Sequence, residues 1–579
     1  MQMSNAKNSL RLSTTPPSPF AGKDTVASDK LGIVVRGSLR EGLELRLDEG
    51  KSVEDLRVGK FVVVKGDRNQ YFAMLNDIRL DVTHPGVLLD PPKTELARRV
   101  LQGTSAFGTV TLRPMLMTPN DANQEDEDAL LPVKTVPTHF SPVFEATHED
   151  VGRIFGNEER GDGKKFFEIG QPLDMDTPVC LNLDRFVERS NAIFGKSGTG
   201  KTFLTRICLC GIIKANKAVN LIFDMHSEYG HQGTSEGNAS RTVRGLKQYF
   251  GSRVQVFTLD EASSRRRKVS ADFTVKIPYS SVTIEDIALL SRELNLNSTA
   301  VETGYLLEAR FGENWMVKFL EMDADSIKEF VGENNAHQGA LGALQRKLKG
   351  FVRRCEGFLV PSVPGGDDAV RHIMDCLLKG VNVVMEFGQY DNPVQYMLVA
   401  NLLTRRIHDE YRKLVEKAQG AETDGPRPLV ITIEEAHKFL SPALSDGTIF
   451  GTIARELRKY KVTLLIVDQR PSGIDDEVLS QVGTKICCLL DDEKDVDAVL
   501  TGVSGANSLR NVLASLETKQ QALLFGHAVP MPVVIRTRNY DDQDFKDRVT
   551  DREAALHGDT DEAKAARKAK LEDIVGNEW

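Results

Sequence analysis

The stretch Phe194–Thr202, FGKSGTGKT, sets glycines at 195, 198 and 200 ahead of Lys201 and Thr202. An apolar run, AIF, precedes it and a helix-like segment, FLTRICLCGII, comes after it. That is the setting a phosphate cradle needs, because glycines let backbone N–H groups wrap phosphates and the helix start adds its positive end. Gly195, Lys196, Ser197, Gly198, Thr199, Gly200, Lys201, Thr202 and Phe203 are therefore expected to hold ATP. Lys201 is expected to reach the β and γ phosphates, and the Thr202 hydroxyl to ligate Mg²⁺. About 230 residues later, LVITIEEAH delivers two consecutive carboxylates to the end of an apolar strand. Adjacent acids in such a place are costly unless a cation or a water relay uses them. Glu434 is the candidate to hold Mg²⁺ through water, and Glu435 the candidate to orient and deprotonate the attacking water. A base beside the γ-phosphate favours hydrolysis over transfer to a small acceptor.

A third stretch, TLLIVDQRPS, ends an apolar run at Gln469. Lying in a parallel sheet beside the Glu434 strand, Gln469 would bring a neutral amide to sense the γ-phosphate. Just upstream, IARELRKYKV places Arg455 and Arg458 three apart, on one helix face. Transition-state charge is commonly met by an arginine, often from another subunit, and Arg458 is the first choice with Arg455 second. Arg189, shortly before the P-loop strand, is a further candidate.

The elements that must position these residues are read from apolar patterning. Residues 1–28 are rich in Ser, Thr, Pro and Asn and read as a disordered tail. Short β-type runs between Gly, Asp and Asn turns predict a small β-barrel over 29–148. From 149 on, the runs AIFG, NLIFD, NVVMEF, LVITI, TLLIVD and KICCLL alternate with helix-like segments, which predicts a parallel α/β sheet covered on both faces. That core is expected in two parts, 149–275 and 381–540, separated by an α-helical insertion over 276–380. Thr283 with Asp286 reads as a capping box opening a helix of the insertion, and Asn392–Pro393 as the start of the long helix that returns to the sheet. Residues 541–579 read as a charged C-terminal helix or tail.

Composition narrows the function classes. With 74 Lys plus Arg against 83 Asp plus Glu the formal charge is −9, so any nucleic-acid surface has to be local. Seven cysteines without a CxxC pair indicate neither a disulfide frame nor a zinc site, and suggest a reducing compartment. No run of about 18 apolar residues occurs, so a cytoplasmic protein without a membrane span is expected.

In order and spacing, RSNAIFGKSGTGKT, LIFDMHSEYG, ITIEEAH, ELRKYKVTLLIVDQRPSGID and LSQVGTKI resemble the HerA family of hexameric DNA-translocating ATPases, akin to the FtsK group, here as a bacterial member. The resemblance spans roughly residues 30 to 540. It implies a RecA-like P-loop core with an N-terminal barrel, and a homohexameric ring that draws double-stranded DNA through its channel using ATP and Mg²⁺. It implies that Arg189 and Arg458 act on nucleotide, one within the subunit and one from its neighbour, and that VPMPVVIRTRNY and the residues after it brace an adjacent subunit. Asp224, His226 and Glu228 are secondary candidates, in a stretch where the family usually carries Gly at the place of Ser227. A separate effector, a nuclease or a sirtuin-like NADase, is expected to dock on the barrel, in anti-phage defence or DNA-end processing. The alternative is an ATP-binding ring that assembles and switches an effector with little translocation; a secretion or conjugation ATPase is a third reading. For DNA the local candidates are SSRRRK at 263–268, the insertion residues Arg346, Lys347, Lys349, Arg353 and Arg354, and the loop LSPALSDGTIFG.

Overall fold

The computed structural model describes residues 29–550 apart from 90, 102–104, 122–128, 159–162, 236–237, 335, 364–367, 446 and 504–505. The expectations for 1–28 and for the tail beyond 550 lie outside the described residues. Seven strands open the chain: β1 (Lys30–Ser38), β2 (Gly42–Leu47), β3 (Phe61–Lys65), β4 (Asn69–Val82), β5 (Ala106–Pro119), β6 (Leu131–Pro132) and β7 (Pro142–Glu145). The antiparallel order β2-β1-β7-β3-β4-β5 closes through a β2–β5 pairing that sets Leu43 opposite Leu112. Closure removes the free edges of the sheet. Alternate residues point inward, so Leu45, Val62, Val64, Ala73, Leu75, Val110 and Leu112 form a core of their own.

Next in the chain come β8 (Phe166–Pro172), β9 (Val179–Asn182), β10 (Asn191–Phe194), β11 (Val219–Asp224), the small pair β12 (Gly233–Ser235) and β13 (Asn238–Val243), then β14 (Val254–Thr258) and β15 (Phe273–Thr274). The short strands β16 (Ile277–Pro278) and β17 (Leu359–Val360) pair with each other. Then come β18 (Asn382–Glu386), β19 (Leu429–Glu434), β20 (Val462–Asp468), β21 (Thr484–Cys487), β22 (Gln521–Gly526) and β23 (Val533–Thr537). Twelve of these make one sheet in the order β15-β14-β18-β11-β19-β20-β10-β21-β22-β23-β8-β9.

From β15 to β21 neighbours run parallel, and the six apolar runs AIFG to KICCLL supply most of those strands. Beyond β21 the sheet departs from the all-parallel expectation: β22, β23, β8 and β9 are antiparallel additions. Their sequences carry interior polar residues, such as Glu168 in β8 and Arg536 in β23, so they lack the continuous apolar signature of a doubly covered strand.

The helices Ile284–Leu289, Ser298–Phe311, Trp315–Glu321, Ala324–Asn334, Gln338–Cys355 and Ala369–Leu378 lie between β16 and β18, and the β16–β17 pair ties the ends of most of that stretch together. Thr283 and Asp286 form a reciprocal capping box. The same Asp286 accepts from Asn401 (3.1 Å) and Arg405 (2.8 Å) of the long helix Pro393–Gly420, which Asn392 caps. One buried carboxylate thus starts a helix and docks it on the main layer. At the other end of the chain, Tyr540 and Phe545 pack on Tyr249 and Phe203 of their own chain (Tyr540–Phe203 centroids 5.9 Å). Arg538, 5% exposed, meets Glu158, Glu168 and Asp544. The segment expected to brace a neighbour packs its aromatic face on Phe203 of its own P-loop helix and on Tyr249, while Arg538 is held by acids outside that helix.

That helix, Lys201–Ala215, touches β8 at Gly211, where a Cβ would stand 2.6 Å from the ring of buried Phe167. Alanine gains about 1 kcal/mol in helix propensity, but overpacking a fixed ring costs about 1–3 kcal/mol. Gly211→Ala is expected to lower stability by roughly 1 kcal/mol in a urea titration; a more stable variant would contradict this packing.

Candidate nucleotide site

The cradle forms where β10 ends. Gly198 (φ 78°) and Gly200 (φ 96°) adopt left-handed backbone that side chains disfavour, so the loop turns tightly into the helix. Gly200 is the N-cap and provides no side-chain hydrogen bond to the helix start. Among the described residues no side chain caps the start of this 15-residue helix, an arrangement that suits an anion. Lys201 Nζ and Thr199 Oγ1 each donate to the Lys196 carbonyl at 2.8 Å. The Lys196 ammonium turns outward to Asp491 at 2.9 Å. Thr202 is half-buried in the first helical turn, whereas the Phe203 ring packs toward Tyr540 and Arg206, leaving its backbone to serve the cradle.

Strands β20 and β19 pair in parallel with Glu434 opposite Val467, and β10 pairs with β20 so that Phe194 faces Asp468. This register brings the three stretches together. Ser197 Oγ donates to Gln469 Oε1 at 2.6 Å, and Gln469 Nε2 donates to Glu435 Oε1 at 2.8 Å. Glu435 itself has φ 51°, a strained backbone for a residue with a side chain. Its other oxygen lies 3.8 Å from His437 Nε2 and 3.9 Å from Lys438 Nζ.

Glu434 is 8% exposed. Its Oε1 accepts from the Tyr229 hydroxyl at 2.9 Å, while Oε2 has no partner among the described residues. The Tyr396 hydroxyl, from the long helix, accepts from the Glu434 N–H (3.2 Å) and lies 3.1 Å from its carbonyl, to which it donates. Burial, then the charges of Asp224 and Glu228, push the Glu434 carboxyl up to about 8. A buried carboxylate oxygen without a donor and a threonine hydroxyl in the first helical turn are the kinds of oxygen donor a hard cation takes, so the residues present fit Mg²⁺.

Asp224 works differently from the expectation. It accepts the backbone N–H groups of Glu228 and Tyr229 at 2.8 Å and of Gly230 at 3.4 Å, which closes the loop after β11 and delivers Tyr229 to Glu434. Burial and the neighbouring Glu386 push its carboxyl up to about 7. Ser227 has φ 57°, which explains why glycine suits that position. His226 is exposed, and the Glu228 carbonyl accepts from Arg206.

The arginines are not brought to this cradle. Arg189 lies before β10, at the opposite end of the strand from Gly195; its stem packs on Gly483. About 20 Å of extended chain separates it from the cradle, beyond the reach of an arginine side chain. Arg458 lies in the turn leading into the same end of β20, and its side chain is outside the described residues. Arg455 is held by Ser445 and Glu477. Arg189 is thus not placed to act on the nucleotide of its own subunit.

The residues that sequence reasoning missed are Tyr229, Tyr396, His437 and Asp468. Three of them lie inside the quoted motifs, DMHSEYG, EEAH and LLIVDQ, but their partners come from other strands.

A family model described as "Helicase HerA, central domain" matches residues 167–407. The chain is 23% identical to the DNA double-strand break repair helicase HerA of Pyrococcus furiosus over 69% of its length and 73% of the relative's. It is 25% identical to the protein of the same name from Saccharolobus solfataricus, covering 83% and 87%. The chain thus resembles HerA proteins over more than two thirds of its length, with the family match itself covering residues 167–407. It is a P-loop ATPase, with the cradle formed at the end of β10. Among solved structures it is similar to VirB4 of Thermoanaerobacter pseudethanolicus (14% identity, TM-score 0.44, 66% of this chain and 99% of that one). It is also similar to the bacterial conjugative coupling protein TrwB (13%, TM-score 0.43, 68% and 92%).

The Glu434 carboxyl generates a pH signature. Its folded value, about 8, lies above its ordinary 4.5, so the folded chain binds the extra proton; this contribution to stability is full below about 4.5 and lost as pH rises through about 8. Without nucleotide or magnesium, the melting temperature of the wild type is expected to fall between about pH 4.5 and 8 more steeply than that of Glu434→Gln. Parallel profiles in scanning fluorimetry would contradict the burial described for this group.

Proposed function

We propose that this chain couples ATP hydrolysis to movement along double-stranded DNA, as a ring of identical subunits working beside a separate effector enzyme. One observation carries the reading: Ser197, Gln469 and Glu435 form a continuous hydrogen-bonded path from the phosphate cradle to the strand-end acid. A loop that only holds nucleotide needs no such path. Gln469 donates to the oxygen that would take a proton from water, so movement of its amide governs the base. Lys201 and the helix start bind and orient phosphate, and Thr202 with Glu434 would hold Mg²⁺. The metal supplies charge neutralisation at the phosphates when bound.

The positions of Arg189 and Arg458 support a ring, since from that end of the strands an arginine meets nucleotide only across a subunit boundary. Six subunits is the expectation from the family. Duplex DNA is supported by the helix Gln338–Cys355: Leu341, Leu344, Leu348 and Phe351 are buried, while Arg346, Lys349, Arg353 and Arg354 are exposed. Among the described residues none of these four makes an ion pair. The other candidates are spent internally. Arg265, Arg266 and Arg267 pair with Glu261, Asp260 and Glu386. In the loop after Leu440, Ser445 holds Arg455 and Thr448 donates to the Phe439 carbonyl. Docking of an effector such as a nuclease or sirtuin-like NADase on the barrel is supported by the arm between β4 and β5, where Leu88 (68%), Leu89 (87%) and Leu96 (75%) are exposed.

Duplex DNA is expected to raise ATP turnover, and Glu435→Gln to bind ATP yet lose about 100-fold or more in kcat. If duplex leaves turnover unchanged in the lone protein and in its effector complex, the translocase reading fails in favour of a ring that organises its effector. Reversing charge at Arg346, Lys349 and Arg353 together is expected to weaken DNA binding and to reduce the log–log salt slope by roughly three. An unchanged slope would remove this helix from the DNA path.

A further inference from the structure

His437 opens the turn after β19, three residues past Glu434. Its backbone N–H donates to Asp468 Oδ2 at 2.7 Å, and its Nδ1 lies 3.1 and 3.0 Å from the two Asp468 oxygens. A carboxylate accepts only, so Nδ1 carries a proton. On the far side of the ring, Nε2 faces Glu435 Oε2 at 3.8 Å, a charge contact longer than a hydrogen bond. Asp468, 1% exposed, also accepts the Arg470 N–H at 2.7 Å. One buried carboxylate therefore ties the turn bearing Glu435 to the turn bearing Gln469, and the imidazole extends that tie to the acid itself. The ring is backed by Gly473, where a Cβ would stand 3.2 Å from the His437 Cβ.

We propose that His437, held by Asp468, is a positioning residue for Glu435. Gln469 engages Oε1 and the imidazole steers Oε2, so the carboxylate offers one orientation to an attacking water. The left-handed backbone of Glu435 makes such steering necessary, because the strained residue has no strand or helix ladder fixing its side chain. The charge states agree with the geometry. The Asp468 hydrogen bond raises the His437 imidazole, and burial would raise Asp468, but the His437 bond and charge outweigh it and hold that carboxyl low. The inference rests on Glu435 being the base.

His437→Asn separates the two contacts, since its amide nitrogen falls near the place of Nδ1 and still meets Asp468 but stops short of Glu435. Its kcat is expected to fall roughly 10- to 100-fold, as when an outer orienting partner is removed, with KM for ATP within about twofold. The melting temperature is expected to stay at the wild-type value. In a Glu435→Gln background the same substitution is expected to cost nothing further, because the group it orients is gone. If Glu435→Gln alone keeps near-normal turnover, the base reading fails. If Glu435→Gln is inactive while His437→Asn keeps kcat within about twofold, the positioning inference fails and the base reading stands. An equal fold-loss in both backgrounds overturns it too. Should His437→Asn not fold, His437→Gln replaces it: its amide reaches toward Glu435, so it is expected to keep near-normal kcat despite losing Asp468, and a loss of about 10-fold or more with a native melting temperature overturns the inference.

Discussion

Parallel pairing of β11, β19, β20 and β10 sets the terms for everything else in the ATPase layer. Because these strands run in one direction and pair in register, their carboxyl ends fall along one edge, with Phe194 level with Asp468 and Val467 level with Glu434. A phosphate cradle, a sensing amide and paired acids that are hundreds of residues apart in the chain thereby come within hydrogen-bond reach. A slip of one residue in any of these pairings would move each side chain to the other face of the sheet. The wholly buried strands, apolar on both faces, are what hold that register.

The same edge concentrates acids where water is scarce. Glu386, Asp224, Glu434 and Asp468 end four strands, and each is nine-tenths or more buried. Burying a carboxylate without a partner costs several kcal/mol, so each has a distinct compensation. Arg267 pairs with Glu386, three backbone N–H groups meet Asp224, and His437 with two N–H groups meets Asp468. Among the described residues, Glu386 and Glu434 each keep one oxygen unpartnered, but the other oxygen of Glu386 meets a guanidinium whereas that of Glu434 receives only a hydroxyl. Glu434 is thus, among the described residues, the one of the four with neither a cation nor a backbone N–H at its carboxylate, a distinction that residue type alone does not make.

How far the sequence was legible depends on where each signal lies. Glycine spacing, the lysine and threonine after it, and strands ending in paired acids or in glutamine are local features, and they marked residues that the fold then sets side by side. The barrel and the helical insertion were legible for the same reason, as changes of period. The antiparallel strands β22, β23, β8 and β9 were not, because their apolar runs are short or carry polar residues such as Glu168 and Arg536. Tyr229, Tyr396 and Asp468 were not either. Each acts on a partner from a different element, and a tyrosine in a loop or helix carries no spacing that announces a carboxylate 205 residues away or a strand-end backbone 38 residues away.

The arginines show the limit of reading roles from one chain. Arg189 and Arg458 lie at the amino ends of β10 and β20, and the cradle lies at the carboxyl ends. Strand length alone, roughly 3.3 Å per residue, keeps them from their own subunit's phosphates. A parallel sheet therefore presents a hydrolytic edge and, at its far end, basic groups with no nucleotide of their own. Subunits arranged head to tail bring one edge to the other, a heterologous contact that either closes as a ring or continues as a filament. In the ring proposed above, closure would make every site depend on its neighbour and so couple hydrolysis in one subunit to the next.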